Sequence, residues 1–187
     1  MLDKRQIRQE IKHRKQAITP DERERLSRQI CRAIESLPGF ERVVHLMLYH
    51  ALPDEVDTRH LLSKWAGSKQ LYLPIVDGDD LIVAPYAGGA MKQGAFHIWE
   101  PAGTTAIDPA RLEWIVVPGV AFDRKMNRLG RGKGFYDRLL RQTQARKIGI
   151  CYGLQLVDKI PAEPHDIKMD LIITENDIIY KNDEIWH

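Results

Sequence analysis

The segment WIVVPGVAFDRKMNRLGRGKGFYDRLLR, residues 114–141, decides the fold, because it reads as a strand, a glycine-rich loop and a helix in direct succession. Residues 114–117 form an unbroken apolar run with β-branched members, which is typical of a strand buried on both faces. Pro118 and Gly119 end this strand. Helical spacing begins after Gly134, where aromatic residues recur four positions before leucines. This order of elements is typical of phosphate sites in α/β proteins.

The loop between strand and helix is rich in backbone and side-chain donors. Gly130, Gly132 and Gly134 alternate with Arg131 and Lys133, and three further cations precede them at positions 124, 125 and 128. Glycines at this spacing let backbone N–H groups turn toward an anion, and the following helix adds the partial positive charge of its N-terminus. Neither GxxxxGK[ST] nor GxGxxG is present. The alternative is a soluble surface loop before a helix whose first-turn aspartate complements the dipole.

Length and composition favour one domain over residues 1–187, with 43% hydrophobic residues available for a single core. The formal net charge is only +2, so no overall field indicates nucleic acid or a membrane surface. The two cysteines have neither metal-ligand nor CxxC spacing, which fits reduced thiols in a cytoplasmic protein. No apolar run is long enough to span a bilayer and no leader is evident, so we expect no membrane association.

The remaining patterns predict an α/β fold: an open, mainly parallel sheet with helices on both faces and an antiparallel hairpin. The elements rest on periodicity, capping signals and turn residues. Helices are predicted over 3–17, from Thr19 to the Pro38-Gly39 stop, and around 61–65. Strands are predicted at 43–49, 147–152, 171–174 and 178–180, with the hairpin at 71–75 and 81–84. Residues 154–157 are predicted as one helical turn, and 88–101 are too irregular to assign.

Several side chains outside the loop are candidate ligand-binding residues, judged from their local sequence, and each also has a purely structural interpretation. Lys4 and Arg8 share a helix face, although such charge runs are often only solvated. Glu55 follows the carboxyl end of a strand, where ligands bind in open α/β sheets, or it precedes a helix. Asp166 lies in a proline-stiffened loop and is a ligand or a turn residue. Trp99 either packs in the interior or stacks on a flat heterocycle.

The strings PGVAFD at 118–123 and NRLGRGKGFYDR at 127–138 resemble the 5-formyltetrahydrofolate cyclo-ligase family. The resemblance extends over nearly the whole chain through LPDEVDT at 52–58, LPIVDGD at 73–79 and EPHDIKMD at 163–170. It implies a fold of the same kind. It also implies ATP- and Mg²⁺-dependent conversion of 5-formyltetrahydrofolate to 5,10-methenyltetrahydrofolate, with release of ADP and phosphate through an iminium phosphate intermediate.

The resemblance also implies roles for particular residues. Arg131, Lys133 and Tyr136 are the implied catalytic residues, and Asp137 and Asp166 the implied Mg²⁺ ligands. The implied ATP-binding residues are Lys4, Arg5, Gln6, Ile7, Arg8, Arg128, Leu129, Gly130, Arg131, Gly132, Lys133, Gly134, Phe135 and Tyr136. The implied folate-binding residues are Arg8, His50, Glu55, Trp99, Arg131, Gly132, Lys133, Gly134 and Phe135.

At the loop, this chain departs from many family members, which have GYGGGYYDR where it has GRGKGFYDR. Arg131 and Lys133 add positive charge, whereas Phe135 lacks the hydroxyl of a tyrosine, so a role for a phenol at position 135 does not transfer. The implied partners are small molecules, with no nucleic acid, membrane or obligate protein partner.

Three other functions remain open from the residues alone. An ATP-dependent enzyme of the same architecture with another one-carbon or pterin substrate would not form the methenyl product. A sugar-phosphate isomerase or CoA-transferase-like enzyme would turn over without ATP. A nucleic-acid-binding module would show a steep dependence of binding on salt.

Overall fold

The structure is a computed structural model that describes residues 2–86, 88–89, 91–94, 99–103 and 105–181. Part of the stretch left unassigned from sequence, residues 95–98, lies outside the described residues. A seven-stranded sheet forms the centre. Its strands are β1 His45–Met47, β2 Gln70–Asp77, β3 Asp80–Tyr86, β6 Trp114–Pro118, β9 Arg146–Ile150, β11 Leu171–Ile173 and β12 Ile178–Tyr180. They lie in the order β12-β11-β9-β6-β1-β2-β3.

The sheet is parallel from β11 to β2 and antiparallel at both edges. β6 pairs in parallel with β1 on one side and with β9 on the other, which places it at the middle of the sheet. β2 and β3 form the hairpin predicted around Asp77-Gly78, and β12 runs antiparallel to β11. The predicted mainly parallel sheet with an antiparallel hairpin is therefore confirmed.

Within the described residues, four α-helices surround the sheet: α1 Lys4–Lys15, α2 Pro20–Glu35, α3 Arg59–Trp65 and α4 Phe135–Leu140. Asp3 and Gln6 form a capping box at the start of α1. The Thr19 side chain accepts a hydrogen bond from the Glu22 amide, so the capping signal in the sequence does begin α2.

Two sequence expectations need correction. The turn predicted at 154–157 is a 3₁₀ turn at Gly153–Gln155, and the chain then extends into β10 Leu156–Val157. This strand joins β7 Ala121–Asp123 and β8 Arg128–Leu129 in a small sheet, which periodicity cannot reveal in strands of two or three residues. Part of the unassigned stretch pairs as β4 Met91–Gln93 with β5 Trp99–Pro101.

Apolar side chains fill both faces of the sheet, as the unbroken run in β6 predicts. Val116 packs in the core beneath α2 and α3, while Ile115 and Val117 pack in the core beneath α4. Helices therefore cover both faces. Both cysteines are fully buried, Cys31 in α2 and Cys151 after β9, and burial raises the pKa of the Cys31 thiol to about 12.

Candidate active site

A cavity of about 640 Å³ opens at the carboxyl ends of β1 and β6, beside the glycine-rich loop. This is the edge at which open α/β sheets bind ligands. Its walls come from α1, the segment after β1, the β2–β3 hairpin, the loop and the segment 163–166. The lining residues include Lys4, Arg8, Tyr49, His50, Leu52, Glu55, Val76, Leu81, Gly119, Arg128, Gly130, Arg131, Gly132, Lys133, Gly134, Phe135, Tyr136, Asp137, Glu163, His165 and Asp166.

Each of the three alternating glycines has a structural reason. Gly132 and Gly134 have φ values of 104° and 69°, which disfavour any residue with a Cβ. Gly130 is needed for space, because a Cβ there would lie 2.8 Å from Nη1 of Arg128. The loop therefore takes its path partly to fit around a buried guanidinium group.

Arg128 is a buried cation of the site, with only 5% of its side chain exposed. One Nη donates to the Asp137 carboxylate at 3.2 Å and the other to the Pro118 carbonyl at 3.3 Å. The guanidinium carbon lies 5.4 Å from the centre of the Tyr136 ring. Within the described residues, Nε is buried with no hydrogen-bond partner. The neighbouring groups therefore fix the Arg128 guanidinium at the cavity, although they do not satisfy all of its N–H donors.

Helix α1 brings two further cations to the same wall. Arg8 donates from Nε to the Gly130 carbonyl at 2.9 Å, which joins the helix to the loop. Lys4 Nζ lies 2.6 Å from Glu163 and 2.9 Å from Asp166. Burial disfavours charge on Lys4, but hydrogen bonds to the two carboxylates outweigh it and hold its pKa above the ordinary value.

A second charged cluster, which the sequence does not indicate as a unit, forms around Arg131 of the same loop. Arg131 donates from one Nη to Asp54 at 2.6 Å and to Glu55 at 3.2 Å. Lys15 donates to the Asp54 carbonyl at 2.7 Å and lies 3.3 Å from its carboxylate. The sequence-based site did not include Asp54 or Lys15. Lys15 continues the stripe of Ile7 and Ile11 at a spacing of four, and a cation on an apolar stripe is the signal that identifies it.

The two carboxylates predicted to bind metal line the same cavity. Asp137 accepts a hydrogen bond from the Ile167 amide at 3.2 Å, which brings its carboxylate beside the segment containing Asp166. Asp166 accepts from Lys4 and from the Glu163 amide. Carboxylate oxygens are the hard donors that Mg²⁺ prefers, so this donor set fits the ion. Both groups already pair with cations, which an incoming ion would have to displace.

Aromatic side chains also line the cavity, and arginines lie beside two of them. His50 and Phe135 line it beside Tyr136, and burial, with a smaller effect from Glu55, raises the pKa of the Tyr136 phenol. Tyr136 therefore stays protonated and can donate a hydrogen bond. Burial and the nearby Arg59 lower the pKa of His50, which favours its neutral form.

Four predicted site residues are not among the described residues that line the cavity. Arg5, Gln6 and Ile7 do not line the cavity as the described residues define it: Gln6 caps α1 and Ile7 is 2% exposed in the core. Trp99 is 44% exposed, so the buried-packing alternative does not hold for it. Its ring centre lies 6.4 Å from that of His50, and this contact connects it to the site.

Fold and site together define an α/β enzyme with a cavity that combines a cationic glycine-rich loop and a carboxylate-bearing wall. The sequence profile of the 5-formyltetrahydrofolate cyclo-ligase family matches residues 1–175. The chain belongs to this family and is a ligase. The resemblance seen in the motifs is thereby confirmed.

Relatives from several organisms agree with this assignment. The chain is 30% identical over 181 residues to a 5-formyltetrahydrofolate cyclo-ligase of Haemophilus influenzae, covering 91% of this chain and 97% of the relative. The corresponding Escherichia coli K12 protein is 28% identical over 178 residues, covering 90% and 98%.

A solved structure supports the fold. The NMR structure of Aquifex aeolicus 5,10-methenyltetrahydrofolate synthetase superimposes with a TM-score of 0.88 at 33% identity, covering 98% of this chain and 95% of that one. In the part of the chain that the structure describes, no helix is long and apolar enough to cross a bilayer.

Proposed function

We propose that the protein converts 5-formyltetrahydrofolate to 5,10-methenyltetrahydrofolate, with ATP consumed and ADP and phosphate released. The observation that carries this proposal is the cavity that the cationic loop and Glu55 both line. The reaction requires two substrates side by side, one bearing phosphates and one bearing a flat, donor-rich heterocycle. A carboxylate such as Glu55 can accept two hydrogen bonds from ring N–H and amino groups.

ATP is required because the formyl oxygen is a poor leaving group. In the proposed route that oxygen attacks the γ-phosphorus, the bond to the β–γ bridging oxygen breaks, and ADP leaves. The resulting N5-iminium phosphate is attacked at its formyl carbon by N10, which closes the ring. Loss of the N10 proton and departure of phosphate then give the methenyl product.

The protein's contribution is positioning and charge stabilisation. Lys133 acts on the charge that develops on the transferred phosphoryl group, and the Arg131 guanidinium, which Asp54 and Glu55 hold, adds positive charge to the wall of the cavity. Arg128 holds a fixed positive charge behind them, and its burial reduces the screening of that charge by water. Lys4 and Arg8 bind phosphates from the side of α1. The protonated phenol of Tyr136 would donate a hydrogen bond toward the reacting groups.

Asp137 and Asp166 would hold Mg²⁺ at this site. When bound, the ion neutralises phosphate charge and orients the phosphates for in-line transfer. Small molecules are the proposed partners, and a cytoplasmic location fits the two unpaired, buried cysteines.

An omission assay tests the proposal. Methenyl product is followed by its absorbance in parallel with ADP, using 5-formyltetrahydrofolate, ATP and Mg²⁺ with each component omitted in turn. We expect one ADP per methenyl product and no turnover when any component is missing. Product at full rate without ATP would overturn the proposal and favour an enzyme that does not use phosphoryl transfer.

A further inference from the structure

Asp54, Glu55, Arg131 and Lys15 form a small charge network in which one guanidinium group serves two carboxylates. A single Nη of Arg131 contacts both Asp54 Oδ1, at 2.6 Å, and Glu55 Oε1, at 3.2 Å. The side chain of Glu55 is only 12% exposed, whereas those of Asp54 and Arg131 are 44% and 49% exposed. Glu55, which lines the cavity, is therefore the enclosed member, and Asp54 is the more exposed one outside the described cavity lining.

Both oxygens of the Glu55 carboxylate already accept a hydrogen bond. Oε2 accepts the Leu52 amide at 3.0 Å, which fixes the orientation of the group. Oε1 is the oxygen that contacts Arg131. A donor-bearing ring that pairs with Glu55 must therefore compete with Arg131 for Oε1.

Asp54 is placed to resolve this competition. Its shorter contact holds Arg131 independently of Glu55, and it is itself anchored by Lys15, whose side chain is 7% exposed. Burial opposes the charge on Asp54, but Coulombic attraction from Lys15 and Arg131 outweighs it and lowers the pKa of Asp54, so its charge is retained. With Asp54 in place, Arg131 can release Glu55 without losing a charged partner.

We propose that Asp54 is a positioning residue: it holds Arg131 by its shorter contact and thereby leaves Glu55 available to the pterin ring of the substrate. This inference rests on the proposed function. Asp54 affects substrate affinity through Arg131 and touches no reacting atom.

The test measures equilibrium binding of 5-formyltetrahydrofolate, without ATP, to wild type, Asp54→Asn, Arg131→Met and the double variant. In Asp54→Asn the neutral amide holds Arg131 less well, so Arg131 turns to Glu55 and the Kd should rise about tenfold. In the Arg131→Met background the same substitution should have less than about a twofold effect, because the competitor is gone. Asp54→Glu, which keeps the charge, should restore most of the affinity.

Asp177→Asn is the matched control, since Asp177 forms an exposed pair with Arg124 at 3.6 Å and is not among the described residues that line the cavity. It should bind as wild type does. Wild-type affinity in Asp54→Asn, or an equal loss in both backgrounds, would overturn the inference. A wild-type protein that neither binds nor converts 5-formyltetrahydrofolate would instead overturn the proposed function, so the two failures are distinguishable.

Discussion

Arg128 and Gly130 show how a single residue pair shapes the glycine-rich loop of the site. The loop passes so close to the buried guanidinium group that a Cβ at Gly130 would lie 2.8 Å from it. The sequence alone predicts that the alternating glycines turn N–H groups toward an anion. It does not reveal that one of them accommodates a neighbouring side chain, because that contact depends on how Arg128 turns back toward Asp137.

Lys133→Ala tests the loop as the site of charge stabilisation. We expect kcat/KM to fall about 10²-fold or more, as is typical when one preorganised charge-stabilising donor is removed. The side chain is exposed at the loop, so the thermal midpoint should stay near that of wild type. Lys125→Ala is the matched control, because Lys125 is an exposed cation of the same segment and is not among the described residues that line the cavity. Wild-type kinetics in Lys133→Ala would contradict this role.

Asp137→Asn and Asp166→Asn test the proposed metal ligands. An amide oxygen replaces a carboxylate poorly, so we expect each change to raise the Mg²⁺ concentration needed for half-maximal rate and to lower kcat. The double variant should lose less than the sum of the two single losses, because both carboxylates serve one ion. The measurement is a Mg²⁺ titration of the initial rate, with the exposed Asp158→Asn as control.

Asp137 has a structural contact in addition to its proposed role as a metal ligand, so its substitution should also lower the stability of the protein. Asp137 also pairs with the buried Arg128, so Asp137→Asn should reduce the free energy of unfolding by about 1–3 kcal/mol. The sequence did not predict that structural role, because it offered Asp137 only as a first-turn carboxylate or as an implied Mg²⁺ ligand. An unchanged Mg²⁺ requirement with lowered stability would assign Asp137 to structure alone.

At the scale of elements, helix α1 connects parts of the chain that are distant in sequence. Lys4 pairs with Glu163 and Asp166, Arg8 binds the Gly130 carbonyl, and Lys15 holds the segment at Asp54. The helix, its start and its apolar stripe follow from periodicity and capping. Its partners do not, because the pairing of a charged side chain with a distant segment depends on tertiary placement that no local pattern encodes.

Lys4→Met tests this attachment through its pH dependence. Burial opposes ionisation of Asp166, but hydrogen bonds from Lys4 and the Glu163 amide outweigh it and lower its pKa. The pairing therefore contributes stability above the ordinary carboxyl pKa of about 4, and this contribution is lost as pH falls through the lower folded value. The raised pKa of Lys4 extends the contribution to alkaline pH.

The expected result is a wild-type midpoint about 2 °C above that of Lys4→Met between about pH 5 and 9, since a part-exposed pair contributes at most about 1 kcal/mol. The difference should begin to shrink as the pH falls below the ordinary carboxyl pKa of about 4, and it should vanish only below the lowered folded pKa of Asp166. Thermal unfolding at a series of pH values measures it. Lys12→Met, at an exposed position on the same helix, should show no such pH dependence. A difference that persists at the acidic end of the series would exclude the carboxylate pairing as its cause.

At the scale of the whole molecule, hydrophobic pattern and turn residues suffice for the architecture. The continuous run in β6, the Asp77-Gly78 turn and the order of strands and helices predict the mainly parallel sheet, which the structure confirms. The small sheet of β7, β8 and β10 escapes such patterns, since two or three residues carry no measurable period. Its packing onto the main sheet is a tertiary property, and Phe122 of β7 is fully buried there.

Gly149→Ala tests that packing. Gly149 lies on β9, and a Cβ there would lie 2.6 Å from the Phe122 ring and 3.0 Å from the Met169 side chain. Both neighbours are fully buried, so we expect the free energy of unfolding to fall by about 1–3 kcal/mol, as measured by denaturant titration. Gly67→Ala is the control, because no described heavy atom lies within 4 Å of the place where a Cβ on Gly67 would stand. Equal stability of both variants would contradict tight packing at Gly149.

The full burial of Cys31 and Cys151 has a practical chemical consequence. Thiol–disulfide exchange and alkylation require an accessible thiolate, and the folded chain offers neither access nor an ionised sulfur at neutral pH. A chromogenic disulfide reagent should therefore react with the thiols only when the protein transiently unfolds around them. The rate is then set by the population of these open molecules. Bound nucleotide and folate should lower the labelling rate of the two thiols. That rate therefore reports ligand binding without an introduced probe.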